Sequence, residues 1–172
     1  VRLGGVDARF EPLVMGKAYS GLEIPNAMIS TVGFKEVLEK LPSRDKKPLA
    51  VAFGKDIAGE VIWASLDDFP HMLVSGTTGS GKSIFIHSII MTLIMRTSPD
   101  DLKIVLVDPK QVEMSKYKDM PHLLCPIVTE PGDANSIMKK LVDEMDNNRY
   151  RLFSETGCSD IKQYNERYST NL

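Results

Sequence analysis

Met72-Leu73-Val74-Ser75-Gly76-Thr77-Thr78-Gly79-Ser80-Gly81-Lys82-Ser83 decides how this chain is read. Its last eight residues fit G-x-x-x-x-G-K-[ST], the pattern of a polyphosphate-binding loop, and both flanks fit that loop's setting. The apolar run 72–75 predicts a strand leading in, and the apolar run 83–95 predicts a helix leading out. Polyphosphate is anionic and calls for donors packed more densely than side chains allow, so the backbone must wrap around it. Gly76, Gly79 and Gly81 give the chain the positive-φ conformations and close approach which that wrapping needs. The helix start adds unpaired N–H groups and the positive end of its dipole. In this chemistry Lys82 reaches the β- and γ-phosphates as the catalytic cation, and the Ser83 hydroxyl binds Mg²⁺. Thr77, Thr78 and Ser80 serve mainly as backbone donors. ATP and Mg²⁺ are the expected cofactors. A GTPase switch is disfavoured, since neither Asn-Lys-x-Asp nor Asp-x-x-Gly follows the loop.

Beyond the helix, 103–107 is apolar without alternation, which predicts a strand buried on both faces, as in a parallel sheet. Strand, helix and strand at this spacing form a βαβ unit, and 124–128 predicts a further strand. A short helical turn falls near 112–117. A long helix begins near Asp133, with Ala134, Ile137, Met138, Leu141, Val142 and Met145 as its apolar stripe and Gly157 as its stop. A last helix covers 160–167. Upstream, the runs 49–53 and 61–64 read as a hairpin around Gly54-Lys55-Asp56-Ile57-Ala58-Gly59. Phe34, Val37, Leu38 and Leu41 recur at helical spacing until Pro42. The first thirty residues read as short strands or extended connections punctuated by Gly4-Gly5, Gly16, Gly21 and Pro25.

Composition is that of an ordinary globular protein: 42% hydrophobic, 26% charged, net charge −2, with no basic excess to mark a nucleic-acid binder. Cys125 and Cys158 stand far apart and read as inert thiols, and His71, His87 and His122 are too scattered to suggest a metal site. The apolar run 84–95 is too short to span a bilayer and reads as a core helix. A chain opening on Val1 reads as a piece of something longer.

A nucleotide hydrolase also needs a carboxylate at a strand end to help hold Mg²⁺ and a polar group to orient water. Asp108 ends 103–107 and is placed to line the nucleotide site, but Pro109 and Lys110 follow it rather than a catalytic Glu. Asp143-Glu144 resembles a Walker B ending, yet it falls on the polar face of the long helix and reads as solvated surface. The hydrolytic half of such a site is therefore not visible.

Four stretches carry a wider likeness. They are Gly21-Leu22-Glu23-Ile24-Pro25-Asn26 with the helix 34–38, and 54–59 with 69–74 running into the loop. Next is Asp108-Pro109-Lys110-Gln111-Val112-Glu113-Met114 through Pro121-His122-Leu123-Leu124, and last Glu144-Met145, Arg149-Tyr150, Gly157 and Tyr164-Asn165. In this order, over nearly the whole chain, they resemble the FtsK/SpoIIIE family of bacterial DNA translocases. The resemblance implies a P-loop NTPase of α/β class with a RecA-like parallel sheet core, incomplete here and preceded by a small α+β segment. Residues 1–48 would end a small α+β subdomain of the motor, and 49–172 would form the first part of the RecA-like core.

The implied activity is ATP-driven pumping of double-stranded DNA by a homo-oligomeric, hexameric ring, in chromosome segregation at cell division or sporulation. This segment would be cytoplasmic and make no membrane contact, with an N-terminal membrane anchor elsewhere in the complete protein. The Walker B strand and the DNA-gripping loops would lie beyond residue 172. A ring enclosing DNA needs few phosphate contacts per subunit, so a balanced charge does not argue against that partner. One departure stands out: the family's Arg shortly after the glycine matching Gly157 is missing, since Cys158-Ser159-Asp160 supplies none. Two other readings stay open, an FtsK-like ATPase of conjugation or secretion and a nucleotide-binding fragment that does not hydrolyse.

Overall fold

The computed structural model describes residues 2–3, 6–12, 18, 20–28, 30–170 and 172; Gly4-Gly5 and Gly16 of the expected punctuation lie outside them. The chain divides into two compact units, 1–33 and 34–172. In the first unit, β1 (Arg2–Leu3) pairs antiparallel with β2 (Val6–Asp7), and β3 (Arg9–Glu11) pairs antiparallel with β4 (Gly21–Glu23). Short strands are what the sequence predicts there.

The second unit opens with α1 (Phe34–Glu39). Val37 and Leu41 bury themselves against Ala52, so this helix packs with the hairpin that follows it. The compact unit accordingly begins at Phe34. The hairpin joins β5 (Ala50–Lys55) to β6 (Val61–Ser65), with an irregularity between Ala52 and Gly54 where Gly54 takes φ 136°. Its turn is held by Asp56, whose Oδ1 accepts from the N–H groups of Ala58 and Glu60, both at 2.9 Å.

Helix α2 (Lys82–Arg96) is apolar on two faces, and each face has a partner. Ile89 and Leu93, with Phe85, pack on Val51 and Phe53 of the hairpin. Ile90, with Ile86 and Ile94, packs on Leu106, Met114 and Tyr117. Burial on both sides explains why a helix this poor in charge is stable in water. Its C-terminal end is tightly held. Thr97 returns both its N–H (2.9 Å) and its hydroxyl (2.7 Å) to the Leu93 carbonyl, and Arg96 donates to the carbonyls of Pro42 and Lys47, each at 2.9 Å.

The strand expected at 72–75 does not form: the segment pairs with no strand among the described residues, and Leu73 is 92% exposed. A strand exists through its ladder, and apolar sequence alone cannot supply the partner. The next two expected strands are reduced to parallel bridges, Ile104 to Leu123 and Val107 to Val128. Four backbone bonds sew them together, among them Ile104 N–H to His122 O at 2.7 Å and Asp108 N–H to Val128 O at 2.8 Å. The chain thus carries a parallel pairing, but as bridges rather than a continuous ladder.

Between these segments lies the turn 108–114, which runs into a 3₁₀ turn (Ser115–Tyr117). The long helix is continuous from α3 (Pro131–Asp143) through a π-helical stretch (Glu144–Arg149) into α4 (Tyr150–Thr156). Gly157 stops it at φ 66°, the left-handed conformation predicted for that position. Asp160 then caps α5 (Ile161–Tyr168), its side chain accepting the Gln163 N–H at 2.9 Å. Among the described residues no helix is long and apolar enough to cross a membrane.

Candidate functional site

The Gly-rich loop emerges just before α2 and is shaped by its glycines. Gly79 and Gly81 adopt φ 82° and 94°, which side-chain-bearing residues rarely take. Gly76 sits close under Ser80: a Cβ there would lie 2.3 Å from Ser80 Oγ, so the hydroxyl would have to turn away. Among the described backbone bonds, the loop's own N–H groups make one, Ser80 to Thr77 O at 3.1 Å, and Thr77 to Gly81 are exposed. An exposed run of backbone donors opening a helix N-terminus suits an anion of phosphate chemistry. Lys82, the first residue of α2, is exposed beside it.

Ser83 is half-buried and its Oγ donates to Glu113 Oε1 at 2.7 Å. One helical turn further, His87 Nδ1 lies 3.0 Å from Tyr117 Oη, and the two rings meet at 5.6 Å between centroids. Burial pushes the His87 imidazole below its usual range, with Lys116 adding to the effect and Glu113 opposing it. The donor in the His87–Tyr117 bond follows the imidazole tautomer, while burial raises the Tyr117 phenol. Two side chains four apart on α2 thus meet two side chains four apart on the 108–117 segment. For an oxygen-preferring cation such as Mg²⁺, the Ser83 hydroxyl beside a carboxylate is a fitting donor environment.

Asp108 lies at the carboxyl end of the 103–107 segment as expected, and it is only 7% exposed. Its carboxylate is turned toward its own chain, where Oδ2 accepts from the N–H groups of Met114 (2.9 Å) and Glu113 (3.1 Å). Those donors, Met114's foremost, hold its carboxyl below the ordinary range despite burial. Gln111, at φ 57°, completes the turn by donating to the Asp108 carbonyl at 3.0 Å. Asp143 and Glu144 are exposed on the long helix, where Glu144 bonds Asn148, so they end no strand.

Sequence reasoning missed Glu113, His87 and Tyr117 as neighbours of the loop. The signal available was a doubled spacing: Ser83 and His87 stand thirty residues before Glu113 and Tyr117 respectively. Cys125 is half-buried and Cys158 buried, and both are free. Where the expected Arg after Gly157 is missing, Arg167 of α5 reaches back to the Thr156 carbonyl at 2.6 Å.

Comparison with known proteins decides the family. The model of the FtsK/SpoIIIE family matches residues 34–171. The chain belongs to the FtsK/SpoIIIE family. Among curated relatives of this family, DNA translocase SpoIIIE of Bacillus subtilis is 45% identical over 165 residues, covering 95% of this chain and 21% of that protein. DNA translocase FtsK of Oceanobacillus iheyensis is 44% identical over 164 residues, with the same coverages. The chain spans about a fifth of the length of these relatives. Among solved structures, the pCW3 conjugation coupling protein TcpA, a monomer form with ATPγS, is similar at a TM-score of 0.58 and 30% identity. That likeness covers 74% of this chain and 34% of the other. Family and structural neighbour together put the chain among the P-loop NTPases, with mixed helix and strand.

Proposed function

We propose that this chain is the ATP-binding segment of a double-stranded DNA translocase motor, belonging to the first part of a RecA-like core. The carrying observation is the loop 76–83: two glycines at positive φ, a third whose Cβ would collide with Ser80, exposed N–H groups, and Lys82 and Ser83 opening α2. Gly76, Thr77, Thr78, Gly79, Ser80 and Gly81 wrap the polyphosphate with backbone donors, Lys82 neutralises its β- and γ-phosphates, and Ser83 holds Mg²⁺. When bound, the cation would supply charge neutralisation to the phosphates. Both curated relatives are DNA translocases by name, which supports DNA as substrate; division or sporulation as the setting rests on family likeness. A hexameric ring and an N-terminal membrane anchor in the complete protein remain part of this reading on family likeness alone.

A second reading keeps the loop and changes the cargo. The TcpA likeness favours it, since that protein is a conjugation coupling protein. Both readings predict the same first experiment. Lys82→Ala removes a charge-assisted contact worth about 1.5–3 kcal/mol, so ATPγS affinity measured by calorimetry in Mg²⁺ falls roughly tenfold or more. Affinity kept within a factor of two would overturn the nucleotide reading.

A further inference from the structure

Beside the loop, Glu113 is a carboxylate to which neither the loop pattern nor the family match assigns a role. It sits on the 108–117 turn, thirty residues from Ser83 in sequence, with its Oε1 2.7 Å from the Ser83 hydroxyl. A carboxylate has no proton to give, so the hydroxyl must donate. A serine oxygen has one proton and two lone pairs, and giving the proton to Glu113 leaves both lone pairs turned elsewhere. A hydroxyl in that state is a better ligand for a hard cation than one whose proton rotates freely, because its lone pairs are already aimed and its oxygen is polarised.

Glu113 is also held in place by contacts that do not involve Ser83. Its own N–H and that of Met114 are bound by Asp108 Oδ2, the neighbouring Met114 is buried against Ile90 of α2, and Tyr117 bonds His87. The segment is thus docked on the helix that carries Ser83 by a hydrogen bond and an apolar contact besides the one in question. The carboxylate waits at the hydroxyl rather than being drawn to it.

We infer that Glu113 is a positioning residue for the metal. It accepts the Ser83 hydroxyl proton, so that the serine oxygen presents its lone pairs to the cation that accompanies the bound nucleotide. Asp108 acts one step further back by holding the turn that carries Glu113. This assignment rests on the nucleotide reading of the loop.

The test is the gain in ATPγS affinity that Mg²⁺ confers, measured by calorimetry in excess Mg²⁺ and in EDTA. It is run on the wild type, Glu113→Gln, Glu113→Ala, Ser83→Ala and the double variant, with thermal midpoints recorded for each. Glu113→Ala should leave affinity in EDTA within twofold and shrink the Mg²⁺-dependent gain by about tenfold, the low end of what outer-shell partners of metal ligands contribute. Glu113→Gln, whose amide oxygen still accepts the hydroxyl proton, should keep the gain within about threefold of wild type. Ser83→Ala should shrink the gain at least as far as Glu113→Ala does, and where a measurable gain remains, adding Glu113→Ala to it should cost nothing more, a non-additivity that a purely structural role for Glu113 would not produce.

A full Mg²⁺ gain in Glu113→Ala overturns the assignment and leaves the nucleotide reading standing. So does a Glu113→Gln variant as impaired as Glu113→Ala, which would show that charge and not proton acceptance matters. A wild type that binds ATPγS in neither condition overturns both. Should Glu113→Ala unfold, Glu113→Leu, which fills similar space and cannot accept the hydroxyl proton, takes its place: a gain reduced about tenfold supports the assignment and a full gain overturns it.

Discussion

Asp108 illustrates how a residue can be placed where expected and yet be occupied otherwise. The strand-end position predicted a residue lining the nucleotide site, and there the carboxylate Oδ2 accepts from the N–H groups of Glu113 and Met114. Its carboxyl is held below the ordinary value by those bonds. The stabilisation it contributes is therefore complete above about pH 3.9, its usual unfolded value, and is lost as pH falls through the lower folded one. Asp108→Asn should lower the thermal midpoint at pH 7, and the gap from wild type should narrow below about pH 4. A gap that stays constant down to pH 2.5 would mean that the carboxylate's charge has no part in holding the turn. Because that turn carries Glu113, the same variant should also weaken the Mg²⁺ response of the loop without touching Lys82.

At the scale of elements, what was legible in the sequence was what is decided locally. Helix α2, the hairpin around Asp56, and the stop at Gly157 are fixed by spacing, turn chemistry and a single left-handed residue, and all three stand where expected. The 72–75 strand and the full parallel ladder depend on partners distant in sequence, and these are where the reading departs from the structure. The π-helical stretch Glu144–Arg149 left no mark in the apolar stripe, since one widened turn hardly disturbs a run of exposed residues. Glu113 was quoted within a family-like segment, but its meeting with Ser83 is a tertiary fact.

That meeting depends on the apolar seam between α2 and 104–117. Ile90, 5% exposed, packs there against Leu106, Met114 and Tyr117. Ile90→Ala should destabilise the protein by about 2–5 kcal/mol in denaturant titration. A loss under about 1 kcal/mol would show the seam to be loosely packed.

For the whole molecule, the proposed reading has a phosphate loop to rest on and, among the described residues, no visible hydrolytic group. No strand among the described residues ends in paired carboxylates, and Asp108 and Glu113 are engaged with the 108–114 turn and with Ser83. The 172-residue chain should therefore show little steady-state phosphate release from Mg-ATP, with or without double-stranded DNA. Robust DNA-stimulated turnover would mean that this chain supplies its own water-activating group, and Glu113 would be the first to replace. Apolar side chains, among them Met138, Val142 and Met145, are exposed along the long helix.

The loop is moored unequally. Downstream it is continuous with α2, which is gripped on two faces and pinned by Arg96 and Thr97 at its far end. Upstream it hangs on 72–75, which has no ladder and leaves Leu73 in water. When the loop tightens around an anion, the stiff side cannot yield, so the displacement must run back along the slack side toward the hairpin. On the proposed reading, occupancy of the loop by phosphates would be felt first on the side from which the chain arrives.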